Sequence, residues 1–188
     1  IEQDSYRGEN LSRYGDIVFV SLNHRLGPIG FSDFSGVDEK KFAESGNVGI
    51  LDLVAGLKWV HNNIAQFGGD PSNVTIMGQS GGGAKVCTLV AMAETKGLLH
   101  KAVALSGNIT GAIDNNYSTE LGKYILKEAG LPPSQINKLQ EIPWLDYIVL
   151  ANRAAAKYDK QLGGNGMMRG SFGPVGDGFH IPMDTFYT

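Results

Sequence analysis

Cysteine occurs once in this chain, at position 87, so no disulfide can form within it, and a cysteine-based metal site has little to draw on. Long apolar runs are missing as well. None approaches the roughly 20 residues that a bilayer-spanning helix needs, and no signal-like segment opens the chain. Neither sign of charge is in excess: 16 Lys and Arg stand against 19 Asp and Glu, a net charge of −3. That balance gives neither a nucleic acid nor an anionic membrane anything to hold. There is no internal repeat. A lone cysteine without a visible signal favours the cytoplasm, although Ile1-Glu2-Gln3-Asp4 reads as mid-protein sequence. Cys87 itself is expected to be a buried, inert thiol.

Glycine is abundant, with 26 residues in 188, and it gathers in turns and around one stretch, Val74-Thr75-Ile76-Met77-Gly78-Gln79-Ser80-Gly81-Gly82-Gly83-Ala84. A short β-branched, apolar run ends in G-x-S-x-G, and a small-residue, helix-compatible segment follows to Ala93. Strand, sharp turn and helix are the context of a nucleophile elbow. A serine nucleophile must stand clear of the backbone at the tip of a turn too tight for neighbouring side chains. Flanking glycines remove those side chains and permit strained angles. A helix starting just past Ser80 would aim unpaired N–H groups at a developing oxyanion, with the N–H of Gly81 as one donor.

Other readings of the same glycines are weaker. A phosphate-binding P-loop needs Lys directly after its second glycine and Ser or Thr after that. Here Ala84 intervenes before Lys85, and Val86 takes the hydroxyl's place. A dinucleotide fingerprint fails because Ser80 replaces its second glycine. A tight turn with an incidental serine is the plain alternative. No cofactor or metal is implied.

In chain order, 1–15 is polar and loop-like with a short helix near Asn10 to Tyr14, and 16–22 reads as an apolar strand covered on both faces. Phe31 to Ser45 reads as irregular loop. Asn47 is a candidate N-cap for an amphipathic helix whose apolar residues Ile50, Leu53, Val54, Leu57, Val60 and Ile64 follow the 3.6-residue period. Gly68-Gly69-Asp70-Pro71 ends it. The elbow strand and its helix come next, then a buried strand over 102–105. Strands and helices alternating over short connections predict a parallel α/β sheet. After Asn108 helices dominate: one with the face Tyr117, Leu121, Tyr124 and Ile125, a short one from Ser134 to Gln140, and a longer one opened by Pro143. The expected organisation is a sheet core with the elbow over 1–108, a helical cap or cover over 109–162, and a loop returning toward the sheet over 163–188.

Several blocks, in order, resemble the type-B carboxylesterases, which include cholinesterase-like and p-nitrobenzyl esterases. They are Val20-Ser21-Leu22-Asn23-His24-Arg25-Leu26-Gly27, Gly46-Asn47-Val48-Gly49-Ile50-Leu51-Asp52, Phe67-Gly68-Gly69-Asp70-Pro71, the elbow, Leu105-Ser106-Gly107 and Phe172-Gly173-Pro174-Val175-Gly176-Asp177-Gly178. The resemblance covers nearly the whole chain. It implies part of an α/β-hydrolase fold and hydrolysis of small-molecule carboxylic esters through an acyl-serine. The family's nucleophile falls on Ser80 and one oxyanion-hole N–H on Gly81. Gln79 and Gly81 stand where relatives often carry Glu and Ala, which removes a negative charge beside the site. Arg25 and Asp52 fall on positions that form an internal ion pair. Ser106 falls on a serine that helps hold the triad acid, and a serine capping a strand-to-loop turn explains it equally well.

The family's second oxyanion loop would lie upstream of Ile1, and its acid and histidine downstream of Thr188. The expectation is therefore the central part of a longer enzyme, inactive by itself, with its missing parts on either side. The histidines bear on this. His24 and His61 precede Ser80, and His100 is read as a surface residue. His180 follows Ser80 and sits near Asp177, but two residues three apart in one loop do not make two loops converging on an elbow. A non-catalytic binding or adhesion module is the alternative from another class.

Overall fold

The computed structural model describes residues 7–164 and 172–186. In chain order these carry helices α1 (Glu9–Gly15), α2 (Gly27–Phe31), α3 (Glu39–Phe42) and α4 (Val48–Asn63), strand β1 (Thr75–Gln79), helix α5 (Gly81–Ala91), strand β2 (Lys101–Leu105), and helices α6 (Asn115–Glu128) and α7 (Trp144–Gln161). Short 3₁₀ segments intervene, including Ser45–Asn47 and Pro133–Glu141. The chain divides into two units, one from 1–24 and 51–109, the other from 25–50 and 110–188.

The first unit is built on β1 and β2, which pair in parallel from Thr75 with Lys101 to Gln79 with Leu105. His100 sets the start of this ladder. Its Nδ1 accepts from the Val74 N–H at 3.1 Å, and its own N–H donates to the Val74 carbonyl at 2.8 Å. It is exposed, as expected of a surface histidine. Helix α5 packs on both strands. The apolar stripe of α4 is buried at Val54, Leu57, Val60 and Ile64, and α5 contributes Val86, Cys87 and Leu89. Cys87 is a free, buried thiol. Gly68 stops the helical run in the left-handed region, φ 82°, a conformation open to glycine without a Cβ penalty.

Two strand expectations need correction. Residues 17–22 form no strand, and Ile17, Val18, Val20 and Leu22 are all exposed. β2 is a strand, but an exposed one, with Val103 and Leu105 both more than 40% accessible. The cause is common to both. An apolar run becomes a buried strand only when neighbouring backbone pairs with it and helices cover it. Among the described residues, β1 has β2 as its one ladder partner.

The second unit has a core of Leu121, Ile125 and Leu126 from α6, Ile136 and Leu139, and Ala151, Ala154, Ala155 and Tyr158 from α7. Three small residues on α7 let the two helices approach closely. Tyr117 and Tyr124 stack on Tyr158 with ring centroids 5.2 and 4.7 Å away. Asp114 caps α6, accepting from the Tyr117 N–H at 2.8 Å. The stretch expected to be plain loop over 31–45 contains α3 and runs into a 3₁₀ turn. Asp38 caps α3 by accepting from the Lys41 N–H.

Asn47 does not cap α4. It is 2% exposed, and its amide forms a two-way pair with the Val175 backbone, donating to the carbonyl and accepting from the N–H, both at 2.9 Å. The same Nδ2 donates to Asp177 Oδ2 at 2.9 Å, while Asp177 Oδ1 accepts from the N–H groups of Phe179, His180 and Ile181. One buried amide and one carboxylate thus fix 175–181. Burial pushes the Asp177 carboxyl up, but the N–H groups of Ile181 and Phe179, the Asn47 amide and the His180 N–H together hold it below its ordinary 3.8.

Asn47→Ala is expected to lower the unfolding free energy by roughly 2–4 kcal/mol in urea titrations, because it strands two buried backbone groups. The folded value of Asp177 lies below the unfolded one. Its stabilisation is therefore complete above the unfolded value and is lost as pH falls through the folded one. Asp177→Asn should flatten the acid limb of the stability profile; an unaltered limb would show that this carboxylate contributes nothing there.

Candidate active site

The end of β1, the turn at Ser80 and the start of α5 form one tight corner. Ser80 has φ 54° and ψ −120°, a backbone conformation sparsely used by residues with a Cβ, and it is exposed. This is the geometry expected of it from the sequence, between a strand ending at Gln79 and a helix opening at Gly81. The corner is locked from behind. The Ser80 N–H donates to the Leu105 carbonyl at 2.8 Å, and the Ser80 carbonyl accepts from the Ala84 N–H at 3.0 Å. A Cβ on Gly78 would run into the backbone of Gly82, and one on Gly107 into the carbonyl of Ser80. Those glycines are there because backbone passes backbone without room for a side chain.

Gly81 is different. A Cβ there would meet only the Lys85 ammonium, 3.9 Å away, so the alanine often found in relatives would fit. As the first residue of an α-helix, Gly81 has an N–H that no carbonyl of its own helix accepts. In the sequence Lys85 argues only against a phosphate loop, and no local signal marks it as part of the corner. Side chains on a helix lean toward its N-terminus, so a lysine four residues after Gly81 leans onto it. Its Nζ donates to the Gly81 carbonyl at 3.3 Å. Burial holds the Lys85 ammonium below its ordinary value. His24, half-buried in the same unit, is held below its ordinary value by burial and then by the Lys85 charge, against an opposing pull from Asp52.

Ser106, just past β2, also has a left-handed backbone, φ 52°, and is exposed at its turn. Asp177 and His180 lie in the other unit. The Asp177 carboxylate is occupied by backbone N–H groups and Asn47, and the buried His180 has its Nε2 3.5 Å from the Glu44 carboxylate. Among the described residues no group of His, Cys, Asp and Glu is placed to hold a metal ion. No helix among them is long and apolar enough to cross a membrane.

A model of the carboxylesterase family matches residues 2–184. The chain belongs to that family. It is 38% identical to the para-nitrobenzyl esterase of Bacillus subtilis (strain 168) over 148 residues, 79% of this chain and 29% of that protein. Mouse neuroligin-2 is 33% identical over 179 residues, 95% of this chain and 20% of that protein. Among solved structures, a PNB esterase superposes with a TM-score of 0.85 at 34% identity, over 98% of this chain and 38% of the other. The architecture is thus part of an α/β-hydrolase. The chain spans less than a third of the length of either curated relative.

Two substitutions separate the packing roles of the glycines. Gly78→Ala should cost about 1–3 kcal/mol through overpacking at the corner. Gly81→Ala, with room for its methyl, should leave the thermal midpoint unchanged or raise it. Equal losses from both would show that the corner is not sterically locked at Gly78.

Proposed function

We propose that this chain is the nucleophile-bearing central part of a serine carboxylesterase, with Ser80 as nucleophile and the Gly81 N–H as one half of the oxyanion hole. One observation carries the reading: a family member holds its elbow serine exposed, at positive φ, between strand and helix. The reaction on this reading runs in two halves. Ser80 Oγ attacks the ester carbonyl carbon as its proton passes to a histidine base, and the developing oxyanion is met by the Gly81 N–H. The tetrahedral intermediate collapses, the C–O bond to the alcohol breaks, and the alcohol leaves with the proton from the base. Water, deprotonated by the same base, then hydrolyses the acyl-serine and releases the carboxylic acid.

The base, its acidic partner and the second oxyanion loop are assigned to parts of the protein outside these 188 residues. In support, the chain spans only 29% of its Bacillus relative. Met77, Val103 and Leu105 on the two strands, and Ile17, Val18, Val20 and Leu22 earlier in the chain, are exposed apolar residues that a complete sheet would cover. Asp177 is engaged by N–H groups of its own loop and by Asn47, and His180 lies 3.5 Å from the Glu44 carboxylate, which argues against an in-chain triad. The match to neuroligin-2, a relative not named as an esterase, favours a second reading as a non-catalytic binding module.

Labelling separates the two. The full-length protein should hydrolyse short-chain aryl esters and take up a fluorophosphonate on Ser80. Ser80→Ala should abolish the label and lower turnover by about 10⁴-fold or more. A folded protein that neither labels nor turns over would leave the binding module. The isolated 188-residue chain should show no comparable turnover. Enzyme-like hydrolysis of p-nitrophenyl acetate by that chain, lost on His180→Ala, would overturn the assignment of the base.

A further inference from the structure

Among the described residues the charge beside the elbow has no ion-pair partner, although Lys85 and Asp52 both act on His24. The recorded polar contact of the Lys85 ammonium is the 3.3 Å bond to the Gly81 carbonyl. That carbonyl is also the one the helix offers to the Lys85 N–H, so the side-chain bond is a weak, shared one. An ammonium has three donors, and this contact uses one. The group is half-buried, so part of its water is already stripped, and salt screens it less than a fully exposed charge. Its position is set by chemistry already described. It lies 3.9 Å from where a Gly81 Cβ would stand, and Gly81 directly follows Ser80. Gln79, immediately before Ser80, is uncharged. The chain as a whole is net negative, at −3, so a positive potential at the elbow is a local construction and not a share of a general field.

We propose that Lys85 is a specificity-determining residue of the esterase reading, on which this inference rests, and that its ammonium favours esters carrying a carboxylate a few atoms from the scissile carbonyl. The chemical class is the half-ester of a dicarboxylic acid, or an ester of a hydroxy acid. A carboxylate there gains a charge-assisted contact that a neutral isostere of equal size lacks. The carboxylate can sit on the acyl or the alcohol side, and separate substrates distinguish the two.

The test uses the full-length protein and ratios of kcat/KM within pairs of similar size that differ in charge. For the acyl side the pair is mono-p-nitrophenyl glutarate against p-nitrophenyl valerate; for the alcohol side, 4-acetoxybenzoate against 4-acetoxybenzamide. Each variant is first checked for fluorophosphonate label on Ser80, which establishes that the elbow is intact. Lys85→Met should lower the charged-to-neutral ratio of at least one pair by about five- to tenfold, and Lys85→Arg should restore most of it. In the unsubstituted protein, 0.5 M NaCl should lower the same ratio, and in Lys85→Met it should have little further effect. A purely structural lysine would change both members of a pair alike. Ratios that stay within twofold on Lys85→Met, or that Arg fails to restore, would overturn the assignment while leaving Ser80 labelling intact. Loss of label and turnover in the unsubstituted protein would instead sink the esterase reading, and this inference with it.

Discussion

The hydrogen bond from the Ser80 N–H to the Leu105 carbonyl is the point on which the first unit turns. It follows directly on the last rung of the β1–β2 ladder, in which Gln79 pairs with Leu105. It therefore fixes where the strand stops and the helix begins. Everything close to it is glycine backbone: Gly78 against Gly82, Gly83 near the carbonyl of Leu105, and Gly107 against Ser80. A positive φ at a serine stores about 1–3 kcal/mol of strain. The neighbouring ladder and the buried face of α5 must hold it there. The corner survives because three segments constrain one residue, and relaxing Ser80 would break contacts on all three sides.

That corner was legible because its signal is local. Glycine, serine and glycine at fixed spacing after a β-branched run specify the turn without reference to the rest of the chain. The α4 stripe was legible for the same reason, and Ile50, Val54, Leu57, Val60 and Ile64 are all buried. Residues 17–22 show the limit. Their composition is that of an inner strand, yet strand formation depends on partner backbone that a local pattern does not encode. The short helices between 27 and 42 were missed for a different reason. A single turn carries too few residues to display a period, and a Pro at the helix start with an Asp cap leaves only a weak trace.

The 172–181 loop shows how residue types with chemical promise can be wholly structural. Asp, His and Asn are the side chains from which a hydrolytic site would be assembled; here Asp177 and, from outside the loop, Asn47 hold its backbone, and the buried His180 lies against Glu44. Asn47 resembled a helix cap in the sequence because Asn often is one. Its amide instead substitutes for a missing strand, giving Val175 the donor and acceptor that a neighbouring peptide would supply. No sequence signal distinguishes the two roles, since the partner lies 128 positions away.

The electrostatics of the corner separate what this chain can do from what it cannot. Two positive features lie at the start of α5, directly after Ser80: the open helix N-terminus and the Lys85 ammonium on the Gly81 carbonyl, with His24 held toward its neutral form by burial and by that same lysine. Such a field stabilises negative charge developing on a carbonyl oxygen. It does little to draw a proton from a serine hydroxyl, which needs a base held against the oxygen. If Ser80 is the nucleophile proposed above, its rigidity and the supply of a base are separate requirements. The first is met by the β1–β2 ladder, the glycine contacts and α5, all within one unit. On the reading proposed above, the second falls to segments that dock against an elbow already formed, so a change in those segments would alter proton transfer without moving Ser80.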